Sequence, residues 1–246
     1  MLGRVMSQPN SIDTARHAVF LDFDGTLVDL VDDPDAVAIA PAALERLEAL
    51  RTELSGALAI VSGRRIADLD RFLSPLRFAA AGVHGLERRL RPDGPVERLA
   101  GPETLADVRD ALAATLRRES RLRLEDKGTA LVLHYRTAPE LEDHAKQAMA
   151  AAIKGRDDLV MMIGDNIVEV HPAGMDKGIA VADMLQRPPF AGRVPVYVGD
   201  DTTDEFALRH VRDAGGLSIK VGRKDSVATC RLADVAAVHR WLGVPG

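Results

Sequence analysis

Short apolar runs alternate with amphipathic stretches along much of this 246-residue chain. The runs are typical of strands buried on both faces, whereas the stretches repeat apolar residues every three or four positions, as helices do. Strands are predicted at 17–21, 57–61, 78–81 and 194–198, and helices from Pro41, after Ser62-Gly63 and at 203–211. This alternation predicts a parallel sheet with helices on both faces.

The pattern changes between Pro102 and Pro172, where the order becomes helix, two strands, helix, two strands. The four strands are predicted at 121–126, 129–136, 159–163 and 167–171. Proline and glycine cluster at both ends of this segment, as at domain junctions. The predicted fold is therefore α/β, with a Rossmann-like parallel sheet core from 1–101 and 173–246. A smaller α+β domain (αββαββ) is inserted at 102–172.

Strand alternation predicts a polar face on the inserted sheet. Leu131 and Leu133 share one face of their strand, which leaves His134 and Arg136 on the other. The same alternation adds further polar residues to that second face: Arg123, Glu125, Lys127, Glu169 and His171. Such a face can also be a solvated outer surface with no binding role.

Composition narrows the function classes. The formal net charge of −5 argues against a non-specific nucleic-acid binder. Cys230 is the single cysteine, so no intramolecular disulfide can form and a reducing, cytoplasmic setting is expected. No apolar stretch is long enough to span a bilayer. Residues 1–15 are polar, without a signal-peptide core, and are expected to form a frayed lead-in.

The strongest chemical signal is DFDGT at 22–26, directly after the first apolar strand. Ligands bind at the carboxyl ends of strands in open parallel sheets. There Asp22 can act as a nucleophile toward phosphorus, while Asp24 donates and later accepts a proton. Gly25 allows close approach to an anion, and Thr26 adds a hydroxyl donor. Asp-Gly is also a common turn, but a turn alone does not account for both carboxylates at the end of a strand.

A second acidic cluster, GDDTTDE at 199–205, follows the late strand. Carboxylates favour hard cations such as Mg²⁺, which takes one or two of them together with phosphate oxygens. Helix capping explains Thr203 or Asp204, but not the whole run. Two weaker signals are Ser62, at a strand-to-helix turn suited to anions, and Lys177, a potential partner for phosphate. Each of these alone is also compatible with a helix cap or a solvated lysine.

Together these four segments resemble the four ordered motifs of the haloacid-dehalogenase-like phosphatases, and the insert lies where their larger caps occur. Further segments are similar to the trehalose-6-phosphate phosphatase family: 82–87, 125–127, 134–136, 169–172, 177–178, 199–205 and the tail at 228–242. Two positions depart from that family. His171 stands where Arg or Lys is more common, and Cys230 where an aromatic residue is common.

The resemblance implies a Mg²⁺-dependent phosphatase acting on trehalose 6-phosphate. In this scheme Asp22 forms an aspartyl-phosphate, and Asp24 protonates the leaving sugar oxygen and then activates water. The Mg²⁺ ligands are Asp22, the backbone carbonyl of Asp24, and Asp200. Asp201 or Asp204 holds these ligands in position without contacting the ion.

The resemblance also assigns the remaining site residues. Thr26, Ser62 and Lys177 hold the phosphoryl oxygens, Lys177 as part of the catalytic set. The insert closes over the core as a cap, and these residues bind the sugar: Arg64, His84, Glu125, Lys127, His134, Arg136 and Glu169. The expected partner is a small sugar phosphate, with no nucleic acid or membrane, and the protein is expected to be a monomer or a weak homodimer.

Two alternative functions stay open from the sequence. One is a phosphatase of the same superfamily that acts on another sugar phosphate or on a glycosyl-phosphoglycerate. The other is a catalytically silent sugar-binding or regulatory module, against which the intact Asp22, Asp24, Lys177 and Asp200 argue.

Overall fold

The structure is a computed structural model that describes residues 7–31, 33, 36–164 and 166–245. These residues form two compact units. The first unit, called the core unit below, runs up to Glu97 and resumes at Asp176, and the second, called the insert unit, is Arg98–Met175. The predicted insert, 102–172, is therefore slightly shorter than the unit that the contacts define.

Strands and helices alternate in the core unit as predicted, and the two units together contain the following elements in chain order. The strands are β1 (His17–Leu21), β2 (Leu58–Val61), β3 (Ala79–Gly82), β4 (Glu87–Arg89), β5 (Glu97–Arg98), β6 (Arg123–Asp126), β7 (Leu131–His134), β8 (Leu159–Gly164), β9 (Ile167–Pro172), β10 (Val194–Gly199), β11 (Leu217–Val221) and β12 (Cys230–Leu232). The helices are α1 (Pro41–Glu53), α2 (Ile66–Phe72), α3 (Ala106–Arg118), α4 (Glu142–Ala152), α5 (Lys177–Met184), α6 (Asp204–Asp213) and α7 (Val235–Leu242). Short 3₁₀ turns occupy Val83–Gly85, Pro102–Leu105 and Pro139–Leu141.

The central sheet of the described residues has eight strands in the order β12-β11-β10-β1-β2-β3-β4-β5. The pairs from β12 to β3 are parallel, which confirms the predicted parallel core, and β4 runs antiparallel to β3. Residues 18–21 of β1 are fully buried, as expected for a strand covered on both faces. In the register, Leu21 lies beside Val198 of β10 and Ile60 of β2. The segments that follow β1, β2 and β10 therefore leave the sheet at the same edge.

The insert unit contains a four-stranded antiparallel sheet in the order β6-β7-β9-β8. Leu131 and Leu133 pack into its core with side chains from α3 and α4, so the predicted αββαββ order and apolar face are confirmed. The opposite face is not a solvated surface throughout. Glu169 is 3% exposed and Val132 is 1% exposed.

Residues 7–15 make defined contacts with the core unit, so the prediction of a frayed lead-in is wrong for them. Ser7 forms a parallel β-bridge with Cys230, and the indole nitrogen of Trp241 donates to the Asn10 carbonyl at 2.9 Å. Residues 1–6, which belong to the same prediction, lie outside the described residues. Among the helices described, none has the length and apolarity to cross a bilayer.

Candidate active site

The turn after β1 carries Asp22 and Asp24. The Asp22 amide donates to the Val198 carbonyl of β10 at 2.9 Å. The Gly25 amide donates to the Val28 carbonyl at 2.8 Å, which closes the turn. Gly25 has a φ of 74°, and a Cβ atom there would lie 2.4 Å from an Asp200 carboxylate oxygen. Glycine is thus required both for the backbone conformation and for the close approach of Asp200.

Lys177 joins the two acidic segments. Its Nζ lies 2.8 Å from Asp22 Oδ1 and 2.7 Å from Asp204 Oδ1, and all three side chains are buried. The lysine is the first residue of α5, whose N-cap Asp176 accepts a hydrogen bond from the Ile179 amide at 2.8 Å. This cap fixes the start of the helix and with it the direction in which Lys177 leaves the backbone.

Asp204 is oriented by three donors. Besides Lys177, the Tyr197 hydroxyl donates to its Oδ1 at 2.6 Å, and the Asp201 amide donates to its Oδ2 at 2.9 Å. Burial opposes ionisation of Asp204, but the positive charge of Lys177 and these hydrogen bonds hold its pKa below the ordinary value. Asp204 is therefore an ionised partner that fixes Lys177.

The surroundings of Asp22 raise its pKa, whereas those of Asp204 lower the pKa of that residue. Burial, and then the negative charges of Asp204 and Asp200, raise the pKa of Asp22 well above its ordinary value, although Lys177 opposes this. Burial and the neighbouring Asp204 and Asp201 also raise the pKa of Asp200 to about 6. This edge of the sheet therefore concentrates more negative charge than Lys177 offsets.

One oxygen each from Asp22, Asp200 and Asp204 lie within 4.8 Å of one another. An all-carboxylate donor set suits a hard cation such as Mg²⁺, and the crowding of negative charge favours a cation there. The residues present therefore fit a Mg²⁺ site. Because Asp204 already accepts three hydrogen bonds, Asp22 and Asp200 are the better candidates for direct ligands.

Thr26 and Ser62 lie at the same edge of the sheet. The Thr26 hydroxyl is 3.5 Å from Asp22 Oδ2, at the limit of a hydrogen bond, and its side chain is fully buried. Ser62 follows β2, and its Oγ accepts a hydrogen bond from the Arg64 amide at 3.1 Å. The structure thus brings Thr26, Ser62 and Lys177 to the strand ends around Asp22.

Arg64 and His84, both predicted as sugar ligands, take part in contacts within the core unit. The Arg64 guanidinium forms a salt bridge with Asp24, with Nε 2.6 Å from Oδ2. The His84 ring packs against Gly63, where a Cβ atom would lie 2.8 Å from the ring. Both side chains are therefore held near the segment that follows β2.

The other predicted sugar ligands belong to the insert unit. The His134 ring is 2.8 Å from Glu125 Oε2, and the Lys127 ammonium is 3.0 Å from Glu169 Oε2. The hydrogen bond with His134 lowers the pKa of Glu125 to about 2, so Glu125 is an acceptor at neutral pH. Arg136 is exposed beyond the end of β7, which stops at His134 although the strand was predicted to continue.

His171 was identified as a departure from the family pattern, and the structure buries it. Its Nδ1 lies 2.9 Å from the Pro172 carbonyl, and its Nε2 lies 3.0 Å from Met162 Sδ. The ring is therefore held by its own sheet.

Sequence reasoning missed two groups that support the acidic segment at 199–205. One is Tyr197, which stands among aliphatic residues in a buried strand; a buried phenol needs a partner, and this was the available signal. The other is Lys220, which is 1% exposed and donates to the Asp201 carbonyl at 3.2 Å and to Glu205 Oε1 at 3.0 Å. The isolated lysine within an apolar strand was the corresponding signal.

Comparison with known proteins shows the family. A family model described as trehalose-phosphatase matches residues 20–236. The probable trehalose-phosphate phosphatase of Sinorhizobium fredii (strain NBRC 101917 / NGR234) is 42% identical over 222 residues, covering 90% of this chain and 83% of that protein. The trehalose-6-phosphate phosphatase of Escherichia coli (strain K12) is 39% identical over 230 residues, covering 93% and 86%.

A solved structure supports the fold. The C-terminal domain of the C. albicans trehalose-6-phosphate phosphatase superposes with a TM-score of 0.80 at 20% identity, covering 97% of this chain and 100% of that chain. At this identity the likeness concerns the fold alone. The match to the family over most of the chain, together with the two sequence relatives, establishes that the chain belongs to the trehalose-phosphatase family.

Proposed function

We propose that this protein hydrolyses trehalose 6-phosphate to trehalose and phosphate through an aspartyl-phosphate on Asp22. The observation that carries the proposal is the buried Asp22 carboxylate, held by Lys177 at 2.8 Å and adjoined by Asp200. The substrate is supported by the relatives from S. fredii and E. coli, whose names specify trehalose-phosphate hydrolysis.

The reaction takes place in two displacements. In the first, an Asp22 oxygen attacks phosphorus, the bond between phosphorus and the sugar oxygen breaks, and Asp24 gives its proton to that oxygen. In the second, Asp24 takes a proton from water as the water oxygen attacks the phosphorus of the aspartyl-phosphate. Phosphate leaves, and the Asp22 carboxylate is restored.

Positive charge and hydrogen-bond donors around Asp22 favour this chemistry. Lys177 offsets the charge that builds up on the phosphoryl oxygens, and the hydroxyls of Thr26 and Ser62 donate to them. Asp22, Asp200 and the Asp24 carbonyl would hold Mg²⁺. When bound, the ion screens the repulsion between the carboxylate and an anionic substrate. The Asp201 amide donates a hydrogen bond to Asp204, and this contact helps to hold the acidic segment in position.

Mg²⁺ is expected to stabilise the protein by relieving the repulsion between these carboxylates. At a concentration one hundred times its dissociation constant, the gain is about 2.7 kcal/mol. This corresponds to a rise in Tm of several degrees, measurable by differential scanning calorimetry with and without EDTA. Asp200→Asn is expected to lose most of the shift. An equal shift in the wild type and in this variant would place the stabilising ion elsewhere.

The polar face of the insert unit is proposed to recognise the sugar. Glu125 and Glu169 offer carboxylate acceptors for sugar hydroxyls, and Lys127 and His134 offer hydrogen-bonding partners beside them. Arg136 and His84 complete the proposed set, whereas Arg64, predicted from the sequence as another sugar ligand, is paired with Asp24 at 2.6 Å. In this proposal the insert unit serves as a cap that shields the reaction from water.

Glu125→Gln and Glu169→Gln are expected to lower kcat/KM for trehalose 6-phosphate by about 10-fold to 100-fold, because each removes a charged acceptor. Hydrolysis of p-nitrophenyl phosphate, which has no sugar, should change little. Asp126→Asn is a matched control, because Asp126 lies in the same strand as Glu125 and pairs with Arg109. Equal losses on both substrates would show that Glu125 and Glu169 do not recognise the sugar.

Steady-state kinetics separate the proposed substrate from its nearest rivals. The panel contains trehalose 6-phosphate, other sugar phosphates and a glycosyl-phosphoglycerate, each with Mg²⁺ present. The proposal expects the highest kcat/KM for trehalose 6-phosphate. A higher value for another member would reassign the substrate within the superfamily, and no phosphate release from any of them would favour a silent binding module.

A further inference from the structure

Arg64 and Asp24 form a two-pronged ion pair. The Arg64 Nε lies 2.6 Å from Asp24 Oδ2, and its Nη2 lies 2.7 Å from Oδ1. The Arg64 side chain is 16% exposed and that of Asp24 is 29% exposed, so the pair is partly shielded from water. A planar guanidinium that binds both oxygens fixes the plane of the carboxylate as well as its position.

Aromatic rings hold the guanidinium. It stacks 4.7 Å from the centre of the Phe72 ring and 5.7 Å from that of Phe23, the residue between Asp22 and Asp24. Arginine is suited to such stacking because its charge is delocalised over a plane. The Arg64 guanidinium is therefore held by the aromatic rings on its flat face and by the Asp24 carboxylate at its edge.

The backbone of Arg64 is fixed by its neighbours. Its amide donates to Ser62 Oγ at 3.1 Å, and its carbonyl accepts from the Val83 amide at 2.9 Å. Val83 and His84 have φ values of 47° and 54°, in the left-handed region that a β-branched residue rarely adopts. Such a conformation persists where the surrounding structure enforces it. Here it presents the Val83 amide to Arg64.

We propose that Arg64 is a positioning residue for proton transfer, which orients the Asp24 carboxylate toward the leaving oxygen and does not bind the sugar. This proposal rests on the function proposed above. A carboxylate has about four lone-pair positions, of which the guanidinium uses two. The remaining positions can carry the proton that passes to the leaving oxygen and later the proton taken from water.

Arg64→Met tests this role with three substrates that differ in how much they need the proton. The p-nitrophenolate ion is weakly basic and leaves without a proton. The phenolate of phenyl phosphate is more basic and gains more from protonation, and the sugar alkoxide of trehalose 6-phosphate is the most basic and needs the proton most. Because kcat/KM reports only the steps up to phosphoryl transfer to Asp22, later hydrolysis does not obscure the comparison. We expect losses of about 100-fold on trehalose 6-phosphate, about 10-fold on phenyl phosphate and less than about threefold on p-nitrophenyl phosphate.

Arg71→Met is the control, because Arg71 stacks 4.4 Å from the same Phe72 ring and should leave all three values unchanged. Arg64→Lys keeps the charge but loses the planar pair, so it should give the same order of losses as Arg64→Met. Equal losses on the two aryl phosphates, or a loss confined to trehalose 6-phosphate, would overturn the proposal; the second result would make Arg64 a sugar ligand. A wild-type protein inactive on all three substrates would instead refute the proposed function.

Discussion

Asp22→Asn is expected to abolish phosphate release from trehalose 6-phosphate, with a loss in kcat of about 10⁴-fold or more. Asparagine keeps the shape of the side chain but has no anionic oxygen to attack phosphorus. The Asp22 side chain lies directly after the fully buried residues 18–21 and is 3% exposed, so bulk water has little access to it. The measurement is phosphate release over time with Mg²⁺ present.

In EDTA, without Mg²⁺, the same variant is expected to unfold at a temperature no lower than that of the wild type. Burial and the charges of Asp204 and Asp200 raise the pKa of Asp22 in the folded protein above its value in the unfolded chain. Its ionisation therefore costs stability at neutral pH, and the neutral amide removes that cost. Thermal unfolding thus provides the control: an inactive variant with a markedly lower Tm would point to misfolding and leave the nucleophile unidentified.

The sequence predicted β1, β2, β3 and β10 well because each is a mostly apolar run, whereas β11 and β12, which contain Lys220 and Arg231, were not predicted. The bounds of β1 match the prediction, and α1 begins at Pro41. The first residue of a helix has no partner within the helix for its N–H, so proline, which lacks that group, is tolerated there. The acidic segments after β1 and β10 were also predictable as neighbours. Parallel strands bring their carboxyl ends to the same edge, so the motif positions alone placed Asp22 and Asp200 together.

Strand β4 could not be predicted because its three residues, Glu87, Arg88 and Arg89, are all charged. They are nevertheless buried, because each meets a partner distant in sequence. Glu87 accepts from the Ile66 amide at 2.8 Å, and Arg89 donates to Asp70 at 2.6 Å. Charged residues are buried only when paired, and pairing between distant segments leaves no local pattern.

The ion pair between Arg64 and Asp24 was missed for a similar reason. The family resemblance assigned Arg64 to the sugar and the sequence identified Asp24 as a proton donor, but nothing in their spacing indicated that the two side chains bind each other. The contact depends on two segments leaving adjacent strands, β1 and β2, at the same edge. Motif reasoning therefore found the residues of the site and not the hydrogen bonds that orient them.

Lys177→Met is expected to impair both stability and catalysis. The lysine is 3% exposed, and its ammonium lies between Asp22 at 2.8 Å and Asp204 at 2.7 Å. Burial lowers its pKa, but the two carboxylates outweigh this and raise the pKa above that of an ordinary lysine. The folded protein therefore holds the proton more tightly than the unfolded chain. The resulting stability is present throughout the range below the ordinary lysine pKa of about 10.4, which includes neutral pH.

Removing one partner of a buried ion pair leaves the other charge without compensation, at a cost of about 3–5 kcal/mol. Urea unfolding of Lys177→Met should show this loss, and kcat should fall by about 100-fold to 1000-fold because the phosphoryl oxygens lose a positive charge. The double variant Lys177→Met/Asp204→Asn should recover part of the stability, since it removes one of the stranded carboxylates, but none of the activity. If the double variant were less stable than Lys177→Met by the full cost of Asp204→Asn alone, the two side chains would not be energetically coupled. The buried contact between Lys177 and Asp204 would then contribute geometry to the site without contributing to the stability of the fold.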